Sequence, residues 1–127
     1  MVCASFQHPF YPNRHFDTPG EHLVLTPINA GSDGLEFRKK VEKDFLPALD
    51  QFKPELILIS AGFDAHAEDP LGELNLVEDD YRWTTTLIND ISNRHSQSRI
   101  VSILEGGYHL EALGRSVCTH IEMMLHD

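Results

Sequence analysis

A four-residue spacing of apolar side chains runs through the first half of the chain, with Phe37, Val41, Phe45 and Leu49 recurring while Lys39, Lys40, Glu42 and Lys43 fill the other positions. That period lays one stripe of an amphipathic helix on a core. Pro47 falls inside the stripe; it has no amide donor and its ring crowds the preceding turn, so a kink or a break is expected there. The pattern changes at Leu56-Ile57-Leu58-Ile59, an unbroken apolar run between Pro54 and Gly62 that reads as a strand buried on both faces. A second helix is expected from about Glu78 to about Asn93, with Glu78, Asp79 and Asp80 in its first turn and Tyr81, Thr84, Leu87, Ile88 and Ile91 as its buried stripe. Ile100 to Leu104 repeats the buried-strand pattern, Gly106-Gly107 ends it, and Leu110, Leu113, Val117, Ile121 and Leu125 mark a final helix. Upstream, Val2 to Phe6 and His22 to Thr26 suit short strands, the second closed by Pro27. Between them residues 7–21, with His8-Pro9-Phe10-Tyr11-Pro12-Asn13 and Asp17-Thr18-Pro19-Gly20, read as a loop.

Strands alternating with helices at this spacing imply right-handed crossovers and a mostly parallel sheet covered by helices on both faces, a three-layer α/β/α arrangement. At 127 residues the chain is one domain's worth of protein. Charge narrows the partners: 20 acidic against 10 basic side chains give a formal charge of -10, which repels a phosphate backbone and an anionic bilayer. The longest basic run is Arg38-Lys39-Lys40, so neither nucleic acid nor membrane is expected as a partner, and basic peptides or cationic small molecules fit better. Cys3 and Cys118 stand far apart, which excludes a disulfide scaffold and a zinc ribbon. With no membrane-length apolar run and no secretory leader at its start, the chain is expected in the cytoplasm.

Ligands of open parallel sheets bind beyond the carboxyl ends of the strands, which directs attention to the segments after Ser60 and Leu104. The first reads Ala61-Gly62-Phe63-Asp64-Ala65-His66-Ala67-Glu68-Asp69-Pro70-Leu71-Gly72, the second Glu105-Gly106-Gly107-Tyr108-His109. Asp64 offers a hard oxygen to a divalent metal, and on an extended backbone His66 would point the same way. Two ligands do not make a catalytic zinc site, however, and the competing reading makes Asp64 the cap of the following turn and His66 a surface imidazole. Asp69-Pro70 and Gly72 read as turn chemistry, and Tyr108 as a weak acid able to donate to a developing oxyanion. His8 and His15 lack ligand spacing; His95, His120 and His126 fall at helix ends or on polar faces, where surface roles lead. No Gly-x-Ser-x-Gly is present and Cys118 sits inside a helical pattern, so nucleophilic hydrolase chemistry has no support.

Together, Ile59-Ser60-Ala61-Gly62-Phe63-Asp64-Ala65-His66 with Asp69-Pro70-Leu71-Gly72, and downstream Leu104-Glu105-Gly106-Gly107-Tyr108, resemble the later part of the zinc-dependent histone deacetylase family. That superfamily includes acetylpolyamine amidohydrolases and acetoin-utilisation proteins. The likeness extends to Gln7-His8-Pro9-Phe10-Tyr11-Pro12 and to Phe45-Leu46-Pro47-Ala48-Leu49 with Pro54-Glu55-Leu56. It implies that Asp64 is one zinc ligand, that Tyr108 polarises the acyl carbonyl, that Gly106 and Gly107 shape the wall beside the metal, and that Tyr11 flanks the substrate channel. His66 is then a neighbour of the ligand. Departures accompany the likeness. The family's Asp-x-His and His-His segments have no counterpart, Asn13-Arg14-His15 replaces Gly-Thr-Gly, and Val77 stands where relatives place a hydroxyl N-cap, a loss of about 0.5–2 kcal/mol.

The resemblance therefore implies the carboxyl-terminal part of the domain over residues 1–127, the amino-terminal part being absent. Alone, such a chain is expected to bind zinc weakly or not at all, to be inactive towards acetylated lysine or polyamines, and to form a homodimer or associate with another chain. The rival reading is a non-catalytic remnant serving as a small α/β binding module; a new metal-binding module on Asp64 and His66 ranks last.

Overall fold

The computed structural model describes residues 1–14, 17 and 19–125. Its elements are β1 (Val2–Gln7), β2 (Leu23–Ile28), α1 (Gly34–Phe52), β3 (Ile57–Ala61), α2 (Glu78–His95), β4 (Ile100–Leu104) and α3 (Leu110–Leu125). The α/β class with parallel strands holds. Among the described residues the strands form two separate parallel ribbons. β1 pairs with β2 from Val2↔Leu23 to Gln7↔Ile28, and β3 pairs with β4 from Ile57↔Ile100 to Ala61↔Leu104, with α2 as the crossover. Ile28, Phe37, Val41, Ala61, Phe63, Leu74, Leu76 and Tyr81 form the core, edged by Phe45, Ile59, Leu87, Leu113 and Val117.

Pro27, expected to close a strand, and Pro47, expected to kink or break a helix, both lie within their elements. Pro27 continues β2, opposite Phe6. Its carbonyl accepts from Lys40 Nζ at 3.1 Å, so this residue turns its backbone polar groups away from β1 and the missing N–H costs the ladder nothing. Pro47 does not break α1, which runs on to Phe52 and ends on Lys53, a left-handed residue (φ 53°) whose N–H reaches the Leu49 carbonyl. The proline lies on the exposed side of the helix, as does Lys43 one turn before it.

Burial departs from the apolar pattern in two places. The strands β3 and β4 are covered on one face only: Ile57, Ile59 and Ile100 turn towards the helices, whereas Leu58 is 67% and Ile103 59% exposed. In α3 the apolar stripe is largely outward, with Leu110, Ile121 and Leu125 exposed, and the buried face consists of Ala112, Ser116, Thr119 and His120. Small and polar side chains let α3 lie close against α2, where Asn89 Nδ2 donates to the Met123 carbonyl at 2.6 Å.

His120 is thus a core residue and has no surface role. Thr85 Oγ1 donates to the Tyr81 carbonyl (2.7 Å), so it accepts from His120 Nδ1–H at 2.7 Å, while the Ser102 hydroxyl serves Nε2 at 2.9 Å. This holds a neutral imidazole between α2, α3 and β4, and burial lowers its pKa from the ordinary 6.5. Between the two values the unfolded chain binds more protons. The stability due to neutral His120 is therefore fully present above about pH 6.5 and is lost as pH falls below it. Urea midpoints are expected to drop from pH 7 to pH 5.5, with a smaller drop in His120→Gln; equal slopes would remove this group from the linkage.

At the start of α2, Val77 has no side-chain acceptor to offer the helix. Asp80 supplies the other half of a capping box, its Oδ2 accepting the Val77 N–H at 2.9 Å. Its Oδ1 receives both Nε and Nη2 of Arg38 at 2.7 Å, which joins α1 to α2, and the guanidinium lies 5.8 Å from the Trp83 ring centroid.

Candidate active site

Beyond the strand ends the β3–β4 pairing continues for two more hydrogen bonds. Glu105 N–H donates to the Ala61 carbonyl at 3.0 Å and Phe63 N–H to the Gly106 carbonyl at 2.8 Å. Gly62-Phe63-Asp64 is thereby laid alongside Glu105-Gly106, and the Asp64 carboxylate packs over Gly106. A Cβ at Gly106 would stand 2.8 Å from Asp64 Cγ and 2.9 Å from each carboxylate oxygen. Gly107 turns the chain away with φ +138°, and a Cβ there would meet Leu113 Cδ1 at 2.7 Å. Asp64 is half-buried, and its carboxylate takes no hydrogen bond or ion pair from the described residues.

The backbone after Asp64 turns at once, with His66 N–H bonded to the Phe63 carbonyl at 3.3 Å. Asp64 and His66 therefore do not share an extended face. The imidazole is buried, which corrects the surface reading: it stacks on Tyr81 with an interplanar angle of 4°, and Nδ1 accepts the Glu68 N–H at 3.1 Å. Nε2 accordingly carries the proton and faces Glu78 Oε1 at 3.5 Å. Nor is Asp64 the cap of this loop; Asp69 is, with Oδ1 accepting from Leu71 N at 2.9 Å and Gly72 N at 3.0 Å. Tyr81 donates its hydroxyl to the Phe63 carbonyl at 3.0 Å, just before Asp64. Burial first, then the carboxylates of Asp64, Asp69, Asp80 and Glu78, push its phenol far above the ordinary range, so it stays a donor. Asp69 and Tyr81 support the site, and pattern reading assigned them to a turn and to a buried stripe.

Tyr108 follows the glycine pair and is 55% exposed; its N–H donates to Asp69 Oδ2 at 2.9 Å. The structure so brings Asp64, Gly106, Gly107 and Tyr108 to adjoining segments. Tyr11 stands on another segment, the loop between β1 and β2. It is 87% exposed and lines a shallow cleft with Phe6, His8, Phe10, Arg14 and Leu25, and none of the four strand-end residues lines that cleft. His15, Phe16 and His126 are outside the described residues. On the outer side Arg115 bonds Glu78 and, at 2.8 Å, Glu68 Oε1; the bond from Arg115 to Glu78 is the main reason the Glu78 carboxyl sits below its usual range.

The donor set fits one corner of a zinc site. Asp64 presents an unengaged carboxylate over a glycine cradle, yet among the described residues no three His, Cys, Asp or Glu side chains cluster to hold an ion. No helix is long and apolar enough to cross a membrane among the described residues.

A family model described as the histone deacetylase domain matches residues 1–124. The chain is 38% identical over 128 residues to the uncharacterized protein slr0245 of Synechocystis sp., taking in 98% of this chain and 40% of that protein. With the polyamine deacetylase HDAC10 of Mus musculus it shares 34% identity over 125 residues, 94% of this chain and 18% of the relative. Among solved structures, the HDA15 HD domain superposes with a TM-score of 0.86 at 28% identity, covering 95% of this chain and 36% of that one. An acetylpolyamine aminohydrolase from Burkholderia pseudomallei gives 0.79 at 26% identity, over 97% and 37% respectively. The chain spans at most 40% of the length of these four proteins.

Proposed function

The chain belongs to the histone deacetylase family, and on that premise we propose that it carries one side of a zinc-dependent amidohydrolase centre acting on acetylated lysine or acetylated polyamines. The observation that carries the reading is the unengaged Asp64 carboxylate seated over Gly106, on the segment adjoining the one that bears Tyr108. Zinc, when bound, brings the pKa of a water to about 7 and polarises the acyl carbonyl. Asp64 would be one ligand to it. Tyr108, half-exposed, would donate its hydroxyl to the oxygen that gains charge as the acyl carbon becomes tetrahedral. Gly106 and Gly107 keep side-chain bulk away from that space, and Tyr11 flanks the stem of the acetylated amine. The remaining ligands and the general base would come from Asp-x-His and His-His segments outside residues 1–127, on the same polypeptide or another, in a cytoplasmic protein whose further parts also cover the open face of β3 and β4. For residues 1–127 alone a homodimer is the simplest cover for that face by symmetry, but only the missing segments complete the ligand set.

The same shortage of ligands favours a second reading, a non-catalytic α/β binding module. One experiment on the purified chain addresses both. Alone it is expected to hold no stoichiometric zinc after dialysis against a mild chelator, to hydrolyse neither acetyl-lysine peptide nor acetylspermidine, and to sediment above the monomer mass. Mixed with a chain supplying the missing segments, it is expected to gain zinc and turnover. No gain on mixing would leave the binding module, and zinc-dependent turnover by the chain alone would overturn the one-ligand account.

A further inference from the structure

The backbone ladder that aligns Asp64 with Gly106 stops before it reaches Tyr108. Its last bond is Phe63 N–H to the Gly106 carbonyl, and the positive φ of Gly107 then swings the chain out of register. The residue that must donate to the oxyanion would be left without a backbone partner. A side chain meets it instead: Tyr108 N–H donates to Oδ2 of Asp69 at 2.9 Å. The other oxygen of the same carboxylate is fixed by the Leu71 and Gly72 amides at 2.9 and 3.0 Å, within the loop that begins at Asp64. Asp69 is buried. Burial alone would raise its pKa, yet the amides of Tyr108, Gly72, Leu71 and His109 outweigh it and hold the carboxyl below the usual range.

The geometry points to Asp69 as a positioning residue that sets the distance between the Tyr108 backbone and the Asp64 loop. The inference rests on the reading of Asp64 and Tyr108 given above. Asp69 touches no reacting atom; it acts by tying the two arms of the site together through one carboxylate.

Asp69→Asn isolates the tie. Asparagine keeps one acceptor oxygen, which satisfies two amides when it points to Leu71 and Gly72, and this leaves its NH2 group facing the Tyr108 N–H. Amide hydrogen exchange read residue by residue is the first measurement. In the wild-type chain the Tyr108 amide is expected to exchange slowly although no ladder holds it; in Asp69→Asn it loses protection, together with any that Asp69 gives the His109 amide beside it, while Leu71 and Gly72 keep theirs. A Tyr108 amide that exchanges freely in the wild type, or stays protected in the variant, overturns the inference. The wild-type measurement decides even if the variant does not fold. In the assembled, zinc-loaded enzyme the variant is expected to lose about 10- to 100-fold in kcat with KM little changed, because the misplaced hydroxyl is needed only in the transition state. An unchanged kcat beside a lost amide bond also overturns the positioning role. An inactive wild-type assembly sinks the function proposed for the site, and amide exchange then decides by itself whether Asp69 ties the two arms together.

Discussion

Asp80→Ala is expected to destabilise the fold by about 3–5 kcal/mol, the combined loss of a part-buried ion pair and a helix cap. Two of the chain's helices meet at this carboxylate. Arg38 of α1 places Nε and Nη2 on Oδ1, both at 2.7 Å, while Oδ2 accepts the Val77 N–H at the start of α2. Alanine removes the pair and the cap in one step. Arg38 is partly exposed and recovers some hydration, which draws the ion-pair loss towards the lower end of the range, and the lost cap adds about 0.5–2 kcal/mol. Asp80→Asn keeps an acceptor for Val77 and is expected to cost less. Urea unfolding followed by Trp83, the single tryptophan, reads both variants at a residue whose ring lies beside Arg38. A loss below about 1 kcal/mol in Asp80→Ala would place the pair with exposed surface bridges.

Tyr108→Phe, in the chain assembled with its missing segments, is expected to lower kcat about 100- to 1000-fold, the usual effect of deleting one oxyanion donor. KM and zinc content are expected to stay near wild type, since the hydroxyl strengthens its contact only as charge develops and Asp64 is untouched. Stability is expected to change by less than about 0.5 kcal/mol, because a half-exposed phenol leaves no cavity and its backbone tie to Asp69 remains. The separation of these quantities distinguishes a lost donor from a lost fold. A kcat within about threefold of wild type would remove Tyr108 from the chemistry.

Elements with a strong period were legible in the sequence. The second helix begins at Glu78 as its acidic first turn indicates, and β4 occupies Ile100–Leu104 as its apolar run indicates. The prolines did not end their elements for two different reasons: Pro27 turns its backbone away from the β1 ladder, so no donor is missed, whereas Pro47 loses one helix bond on the exposed side of α1 and the turns on either side hold the helix together. The strands β3 and β4 were misjudged for another reason. An unbroken apolar run states that both faces are to be covered, and leaves open whether the cover belongs to the same stretch of chain. His120 escaped because the pattern ranks polar residues as outward, whereas Ser102 and Thr85 make its burial favourable from two distant positions. Of the site, Asp64 and Tyr108 were visible as polar residues following glycines at strand ends. Asp69 was visible as a turn former only, since its bond to Tyr108 spans residues that only the fold brings together.

The division of the strands into two ribbons bears on how the chain opens. Asp64, Asp69, Gly106, Gly107 and Tyr108 all lie within the β3–α2–β4–α3 stretch, closed on itself by one ladder and by α2 against α3. Tyr11 belongs to the β1–β2 ribbon, joined to that stretch by α1 and by local bonds such as Gln7 Nε2 to Glu73 at 2.6 Å. Cooperative units of this kind open with different free energies. On the proposed function, the arm that would touch substrate could therefore fluctuate, or accumulate substitutions, while the arm that would hold the metal stays assembled, and substrate preference and metal affinity would be free to evolve at separate rates.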